Sequence, residues 1–247
     1  MDPEYSQQYA ELYRSHWWWR AREVFILRNL DALVPTGGWN RILDVGCGDG
    51  LTLGILTRFG REVEGLEADP AIVSQATAQR FRIHIGMLDQ EFAPEGRFDL
   101  ITMFDVLEHI QDPVAALQRC REILAPGGSL LITVPAFRSL WTHHDDVNHH
   151  FTRYTRRSLT EVLQRAGLSS TMSRYFFHWL VLPKLAIRAH ERLFKGRPSV
   201  TRIPSPAVNR GLTEFCTLEQ KTVTRLRIIP GTSLLTLASS IDQGFRS

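Results

Sequence analysis

Ile42-Leu43-Asp44-Val45-Gly46-Cys47-Gly48-Asp49-Gly50 constrains the fold of this chain more than any other segment. A short apolar run ends in three alternating glycines, and apolar residues follow at 51, 55, 56 and 59, which is helical spacing. The segment therefore reads as a strand, a glycine loop and a helix. Glycine lets a backbone turn tightly and meet a ligand with no Cβ in between. At the carboxyl end of a strand in a doubly wound sheet, such a loop receives a nucleotide-like ligand. The competing reading is a tight turn with no ligand.

The spacing narrows the ligand. A dinucleotide fingerprint needs glycines at 46, 48 and 51, and position 51 is Leu. No lysine follows the loop, so it is not a P-loop. Asp44 stands where dinucleotide folds keep an apolar residue, and its carboxylate suits a cationic group such as an ammonium. The next strand-like run ends in Glu67, 21 residues after Gly46. A carboxylate there can accept both hydroxyls of a ribose.

The pattern continues as α/β. Strands are predicted over 62–67, 81–85, 98–104 and 129–134, and helices over 71–80, from Asp69-Pro70, and from Asp112-Pro113 onward. Pro126-Gly127-Gly128 reads as the stop of that last helix. Nearly continuous apolar strands alternating with helices indicate a parallel sheet covered on both faces. The expected fold is Rossmann-like, with a helical cap over 1–40, an α/β core over 41–177, a basic helical insertion or lid over 178–231, and a last strand and tail over 232–247. Within it a helix over 158–166 and a strand over 170–177 are expected.

Composition excludes several classes. Hydrophobic residues make up 43% and charged residues 22%, so the chain is neither disordered nor low-complexity. No run of ~18–20 uncharged apolar residues could span a bilayer. Met1-Asp2-Pro3-Glu4 is acidic and polar, which argues against a secretory signal. Cys47, Cys120 and Cys216 are too scattered for a disulfide framework or a metal cluster, as expected of a cytoplasmic protein. Charge is uneven. Residues 1–137 hold 12 Lys+Arg and 19 Asp+Glu, whereas residues 138–230 hold 16 and 6. The basic half suits an anionic acceptor, an anionic membrane surface or nucleic acid, or is a plain solvated surface.

On Leu43–Gly50, Glu67, the segment Phe98-Asp99-Leu100-Ile101-Thr102-Met103-Phe104-Asp105-Val106-Leu107-Glu108-His109, and Leu124–Leu130, the chain resembles the class I S-adenosylmethionine-dependent methyltransferases. It is similar to the small-molecule type that includes ubiquinone-biosynthesis O-methyltransferases. The resemblance implies a seven-stranded, mostly parallel sheet with a reversed last strand. It implies S-adenosylmethionine as cofactor, bound by Asp44, Gly46, Cys47 and Gly48, with the ribose at Glu67 and Ala68. The adenine would lie near Met87 and Leu88; many relatives carry an acid at the position of Met87, which here can only pack, and Asp89 could substitute for it. Phe104 would offer backbone groups to the methionine end. Trp18, within His16-Trp17-Trp18-Trp19-Arg20-Ala21-Arg22, could cap the pocket, with Arg20 or Arg22 reaching the cofactor carboxylate, or the stretch could simply pack.

Methyl transfer needs a positioned nucleophile and often a base. Asp105, Glu108 and His109 stand at i, i+3 and i+4, which suits a pocket wall, a base, a metal set or an ordinary helix start. The run 143–150, with four His and two Asp, suits an acceptor pocket or a base, or a plain solvated polar loop, better than a metal. The candidate catalytic residues are His109, His144, His150, Arg153 and Tyr154, and no metal is expected. A histidine, with a reference pKa near ~6.5, can take a proton at pH 7, and an arginine fork can hold an anionic acceptor. Tyr175–Leu185 leads into a basic segment with Lys184, Arg188, Arg192, Lys195 and Arg197. It could lie on an anionic membrane, lid a greasy pocket or pack on the core. The expected function is methyl transfer to an oxygen or nitrogen of a small-molecule or lipid-linked acceptor. A nucleic-acid or protein methyltransferase is the alternative, although no Asn/Asp-Pro-Pro-aromatic motif follows strand four. A cofactor-binding pseudoenzyme is the third reading.

Overall fold

The computed structural model describes residues 11–194, 203–223 and 229–241. Lys195 and Arg197 of the basic segment lie outside them. Seven strands form one sheet in the order β3-β2-β1-β4-β5-β7-β6. They are β1 (Trp39–Val45), β2 (Gly60–Glu67), β3 (Arg82–Ile85), β4 (Phe98–Phe104), β5 (Leu124–Pro135), β6 (Leu168–Phe176) and β7 (Ser233–Ser240). All pairings are parallel except those of β7, which runs antiparallel to β5 and β6. The reversed last strand and the mostly parallel sheet match the expectation.

Both faces of the sheet are covered, which is why its strands are so apolar. Leu43, Ile101, Leu130 and Leu234 point into one core with Leu117, Cys120, Leu159 and Leu163. Their neighbours Ile42, Leu100, Leu131 and Leu235 point into the other, with Ala21, Phe25, Ile26, Leu30 and Cys216. The first core is closed by helices Pro113–Ile123 and Arg156–Arg165, the second by helices Trp17–Leu33 and Pro206–Thr222. In chain order the helices are α1 (Trp17–Leu33), α2 (Leu53–Leu56), α3 (Gln75–Arg80), α4 (Pro113–Ile123), α5 (His143–Val147), α6 (Arg156–Arg165), α7 (Val181–Leu193) and α8 (Pro206–Thr222).

Three local expectations are corrected. The helix after the glycine loop is only Leu53–Leu56, because 3₁₀-type bonds from Arg58 to Ile55 and from Phe59 to Leu56 turn the chain early. The Phe59 carbonyl then receives the Trp39 amide at 2.8 Å and starts the sheet. The helix expected from 71 begins at Gln75. The Asp69 carboxylate accepts from the Ala71 amide at 3.0 Å and makes a turn, while Asp49 draws the Ser74 amide to 2.8 Å. Ser74, not Asp69, caps α3. Finally, Pro126-Gly127-Gly128 lies inside β5, which already starts at Leu124. Asp112, by contrast, caps α4 as expected, accepting from the Ala115 amide at 3.1 Å.

Candidate active site

The glycine loop sits at the carboxyl ends of β1 and β2. The Gly46 and Cys47 amides both reach the Leu66 carbonyl, at 2.8 and 3.2 Å. Gly46, Gly48 and Gly50 have φ of +67°, +55° and +69°, where side chains are disfavoured. Their reasons differ. A Cβ on Gly46 would stand 2.6 Å from Val106, and one on Gly50 2.7 Å from Thr77, so these two close the protein upon itself. A Cβ on Gly48 would meet nothing within 4 Å. Gly48 therefore presents bare backbone to open space, as a loop cradling a ligand requires.

Glu67 ends β2 beside that backbone. Its Oε2 accepts from the Gly48 amide at 2.8 Å and its Oε1 from the Asp69 amide at 3.1 Å. The carboxylate thus shapes the loop as well as offering acceptors at its mouth. Ala68 is exposed next to it. Ile85, paired with Glu67 in register, and Met87 are both solvent-exposed, with Leu88 half-buried. Apolar side chains exposed beside a carboxylate suit the flat face of a base over a ribose.

Asp44 is buried at the end of β1 and accepts from Thr102 Oγ1 at 2.6 Å. Burial pushes its carboxyl up to about 7, although Thr102 and Arg22 pull the other way. A carboxyl poised there can ionise to meet a cation. Arg22 is buried on α1, in ion pair with Asp105 at 2.6 Å and donating to Thr133 Oγ1 at 3.3 Å. Its guanidinium lies 5.9 Å from the Trp18 ring centre and 5.8 Å from that of Phe104. Trp18 in turn stacks on Phe177 at 5.6 Å. The aromatic-arginine stretch therefore joins the carboxyl ends of β1, β4 and β5, with Arg22 as its charged tip.

The second cluster lies past β4 and β5. Asp105, Glu108 and His109 do not share one helical face. Asp105 adopts φ +57° ahead of a single 3₁₀ turn, Leu107–His109, so its carboxylate turns to Arg22. Glu108 is buried and its Oε2 has no hydrogen-bond partner, while His109 is exposed. Burial, then the Asp105 charge, holds the Glu108 carboxyl well above the usual range. The His109 and His150 rings stand 4.7 Å apart, edge to face. His109 keeps an exposed edge, but partial burial of its ring, then the neighbouring His150, pulls it below the ordinary histidine value. Glu108, His109 and His150 offer ligand atoms within 4.8 Å of one another, so among the described residues this is the set that could hold a metal ion. His150 has replaced Asp105 in the set expected from spacing.

The 143–150 run folds as a short helix, α5, and its centre is Asp145, which sequence reasoning did not single out. Asp145 is fully buried and accepts from His150 Nδ1 at 2.8 Å, from Arg153 Nε at 2.7 Å and from Arg153 Nη2 at 3.0 Å. It also accepts from the Thr142 amide at 2.8 Å. Burial alone would raise its carboxyl, yet His150 and Arg153 hold it well below the usual carboxylate range. A Thr-x-x-Asp pattern at 142–145 is the sequence signal that could have found it, as a helix-capping pair.

This arrangement corrects two catalytic assignments. Arg153 engages Asp145 with two nitrogens and the Ala136 carbonyl with the third at 3.0 Å, so its fork supports the site rather than faces an acceptor. Tyr154 is buried in the core and its hydroxyl reaches only the Leu107 carbonyl, at 3.5 Å. Burial and Glu108 push its phenol upward, so it is no base. His144 is exposed on α5, its Nδ1 3.4 Å from the Asn148 amide nitrogen. Thr102 and Thr133, buried polar residues inside apolar strands, were legible only as oddities of pattern.

A family model described as a methyltransferase domain matches residues 18–171, more than half of the chain. The chain belongs to the class I S-adenosylmethionine-dependent methyltransferases. A protein of Mycolicibacterium smegmatis described as a probable S-adenosylmethionine-dependent methyltransferase is 29% identical over 181 residues, covering 72% of this chain and 69% of that one. A ubiquinone biosynthesis O-methyltransferase of Cereibacter sphaeroides is 38% identical over 110 residues, covering 42% and 44%. The solved structure of a methyltransferase from Archaeoglobus fulgidus superposes with a TM-score of 0.58 at 17% identity, covering 96% and 99%. This methyltransferase is accordingly an enzyme that uses S-adenosylmethionine. Gly48's open backbone, the buried acid Asp44 and the strand-end acid Glu67 fit a ligand that combines a cationic amino-acid end with a ribose.

Proposed function

We propose that this methyltransferase acts on an oxygen or nitrogen of a small-molecule or lipid-linked acceptor, anionic ones included. The observation that carries the reading is the Asp145–His150 pair at the carboxyl end of the sheet. Nδ1–H of His150 donates to Asp145 Oδ1, which leaves the Nε2 lone pair to take a proton. The partial match to ubiquinone biosynthesis O-methyltransferases supports a small acceptor.

The chain's tasks follow from the geometry. Gly46–Gly50, Glu67, Ala68, Met87 and Leu88 would hold the adenosine part. Asp44, Arg22, Phe104 and Trp18 would hold the amino-acid part, with ionised Asp44 facing an ammonium and Arg22 a carboxylate. When bound, S-adenosylmethionine supplies a methyl group on a sulfonium already activated for in-line displacement. His150, with His109 beside it, accepts the proton that an acceptor loses. With His150 as the proton acceptor the reading requires no metal, and turnover should survive EDTA.

The test uses calorimetry and turnover with labelled S-adenosylmethionine, screening phenolic and polyprenyl-linked acceptors. Glu67→Ala should weaken cofactor binding by about 5- to 150-fold, the cost of ~1–3 kcal/mol of lost hydrogen bonding. His150→Ala should cut turnover at least about tenfold and leave cofactor affinity nearly intact. Methyl transfer to RNA or to protein instead of small acceptors would overturn the reading.

A further inference from the structure

A helix packed on a protein normally buries its apolar stripe and shows its charges to water. α7 does the reverse. None of its 13 residues is buried. Among its least exposed positions are Lys184, Arg188 and Glu191, one face at i, i+4 and i+7. These charges dock the helix. Lys184 Nζ donates to Thr142 Oγ1 at 3.4 Å and Arg188 Nη1 to the Arg138 carbonyl at 2.6 Å. Glu191 accepts from the His143 amide at 3.1 Å. The opposite face carries Leu182, Leu185, Ala186, Ala189 and Leu193, and it points outward. Leu182 is 75% exposed, Leu193 76%, and Phe194 just beyond is 61% exposed. On α8 a second outward stripe at i, i+7 and i+10 comprises Val208, Phe215 and Leu218, all more than half exposed.

Leucine faces of this size do not remain in water without a reason. The charges around them decide between occupants. Arg192 is exposed at the edge of the α7 stripe, and Arg210 and Lys221 are exposed on α8. The exposed charged residues of α7 and α8 are these three cations and a single acid, Glu214. A second copy would bring the same positive charge against itself, whereas an anionic surface is complementary to it. An apolar stripe flanked by arginine is the chemistry of a helix lying in a membrane interface. No helix among the described residues is long and apolar enough to cross a membrane, so the contact is with one leaflet.

We propose that α7 docks this methyltransferase on an anionic phospholipid membrane, its outward leucine face among the acyl chains and Arg192 at the phosphate level. The docking helix is bonded to the segment 138–143, which leads directly into α5 and Asp145. Membrane contact and the His150 side of the active site are therefore neighbours, which would give a lipid-linked acceptor a short route. The proposal goes beyond the reaction itself and does not depend on which acceptor is used.

The test is sedimentation of the full chain with vesicles of phosphatidylcholine alone and of phosphatidylcholine mixed with phosphatidylglycerol. The chain should sediment with the mixed vesicles, less so as salt is raised. Leu182→Ser combined with Leu193→Ser should lower the partition coefficient at least about tenfold. Circular dichroism and S-adenosylmethionine affinity, read separately, should be unchanged. Arg192→Glu, which leaves the apolar face intact, should lower partition at least about fivefold. No sedimentation with the mixed vesicles would overturn the proposal. So would equal binding to neutral vesicles, or a dimer that the double serine variant dissociates while lipid binding is absent throughout.

Discussion

Asp44 shows how one buried residue couples folding and binding to pH. Burial raises its carboxyl to about 7, against an ordinary value near ~3.9. Between those values the native chain binds more protons than the unfolded one, so this group's contribution makes stability fall as pH rises through that interval. Binding of a cationic ligand group runs the opposite way, because it needs the ionised form. S-adenosylmethionine should therefore bind more tightly at pH 8 than at pH 6, by up to about tenfold, with Asp44→Asn removing the dependence. Calorimetry at the two pH values reads this directly. Asp145 has the reverse sign. Its depressed carboxyl contributes stability that is present above the ordinary aspartate range and is lost as pH falls through and below it. Asp145→Asn leaves a buried Arg153 without its counter-charge, so denaturant unfolding should show a loss of about 3–5 kcal/mol.

At the scale of elements, the strand ends carry both the strain and the site. Asp105, Phe137 and Phe177 stand just past β4, β5 and β6 with φ of +57°, +57° and +58°, and His149 has +55° just ahead of His150. Each is a non-glycine residue in a region that costs on the order of 1 kcal/mol or more. The chain bends abruptly at these positions, which turns Asp105 to Arg22 and sets His150 against Asp145 and His109. The glycine loop separates two roles of the same residue type. Gly46→Ala would drive a Cβ into Val106 and should destabilise the fold clearly, by thermal or denaturant unfolding. Gly48→Ala meets no atom, so its unfolding cost should be only about 1 kcal/mol, from its positive φ. Its methyl group would instead fill the ligand's approach and weaken S-adenosylmethionine binding out of proportion to that cost. Equal effects of the two substitutions on stability and on affinity would contradict this division.

Across the whole molecule, local sequence determined what depends on period and on glycine. Alternating pairs such as Ile42 and Leu43, or Leu130 and Leu131, are apolar on both faces because helices cover both, and that marks a parallel sheet from the chain alone. The glycine loop, Glu67 and Asp112 depend on short-range stereochemistry, which travels with the residues. Tertiary structure decided the rest. Position along the chain placed Asp105 with Glu108 and His109, but one positive φ sent it to Arg22, 83 residues away. Arg153 looked free to hold an acceptor until folding brought Asp145 against one edge of its fork and the Ala136 carbonyl against the remaining nitrogen. For α7 the sequence left a membrane surface, a lid and packing on the core all open, and only its docking through Lys184, Arg188 and Glu191 turned the leucines outward. A helical pattern says which residues share a face. It does not say which face meets the protein, because that depends on the hydrogen-bonding groups that distant segments, here residues 138–143, present to it.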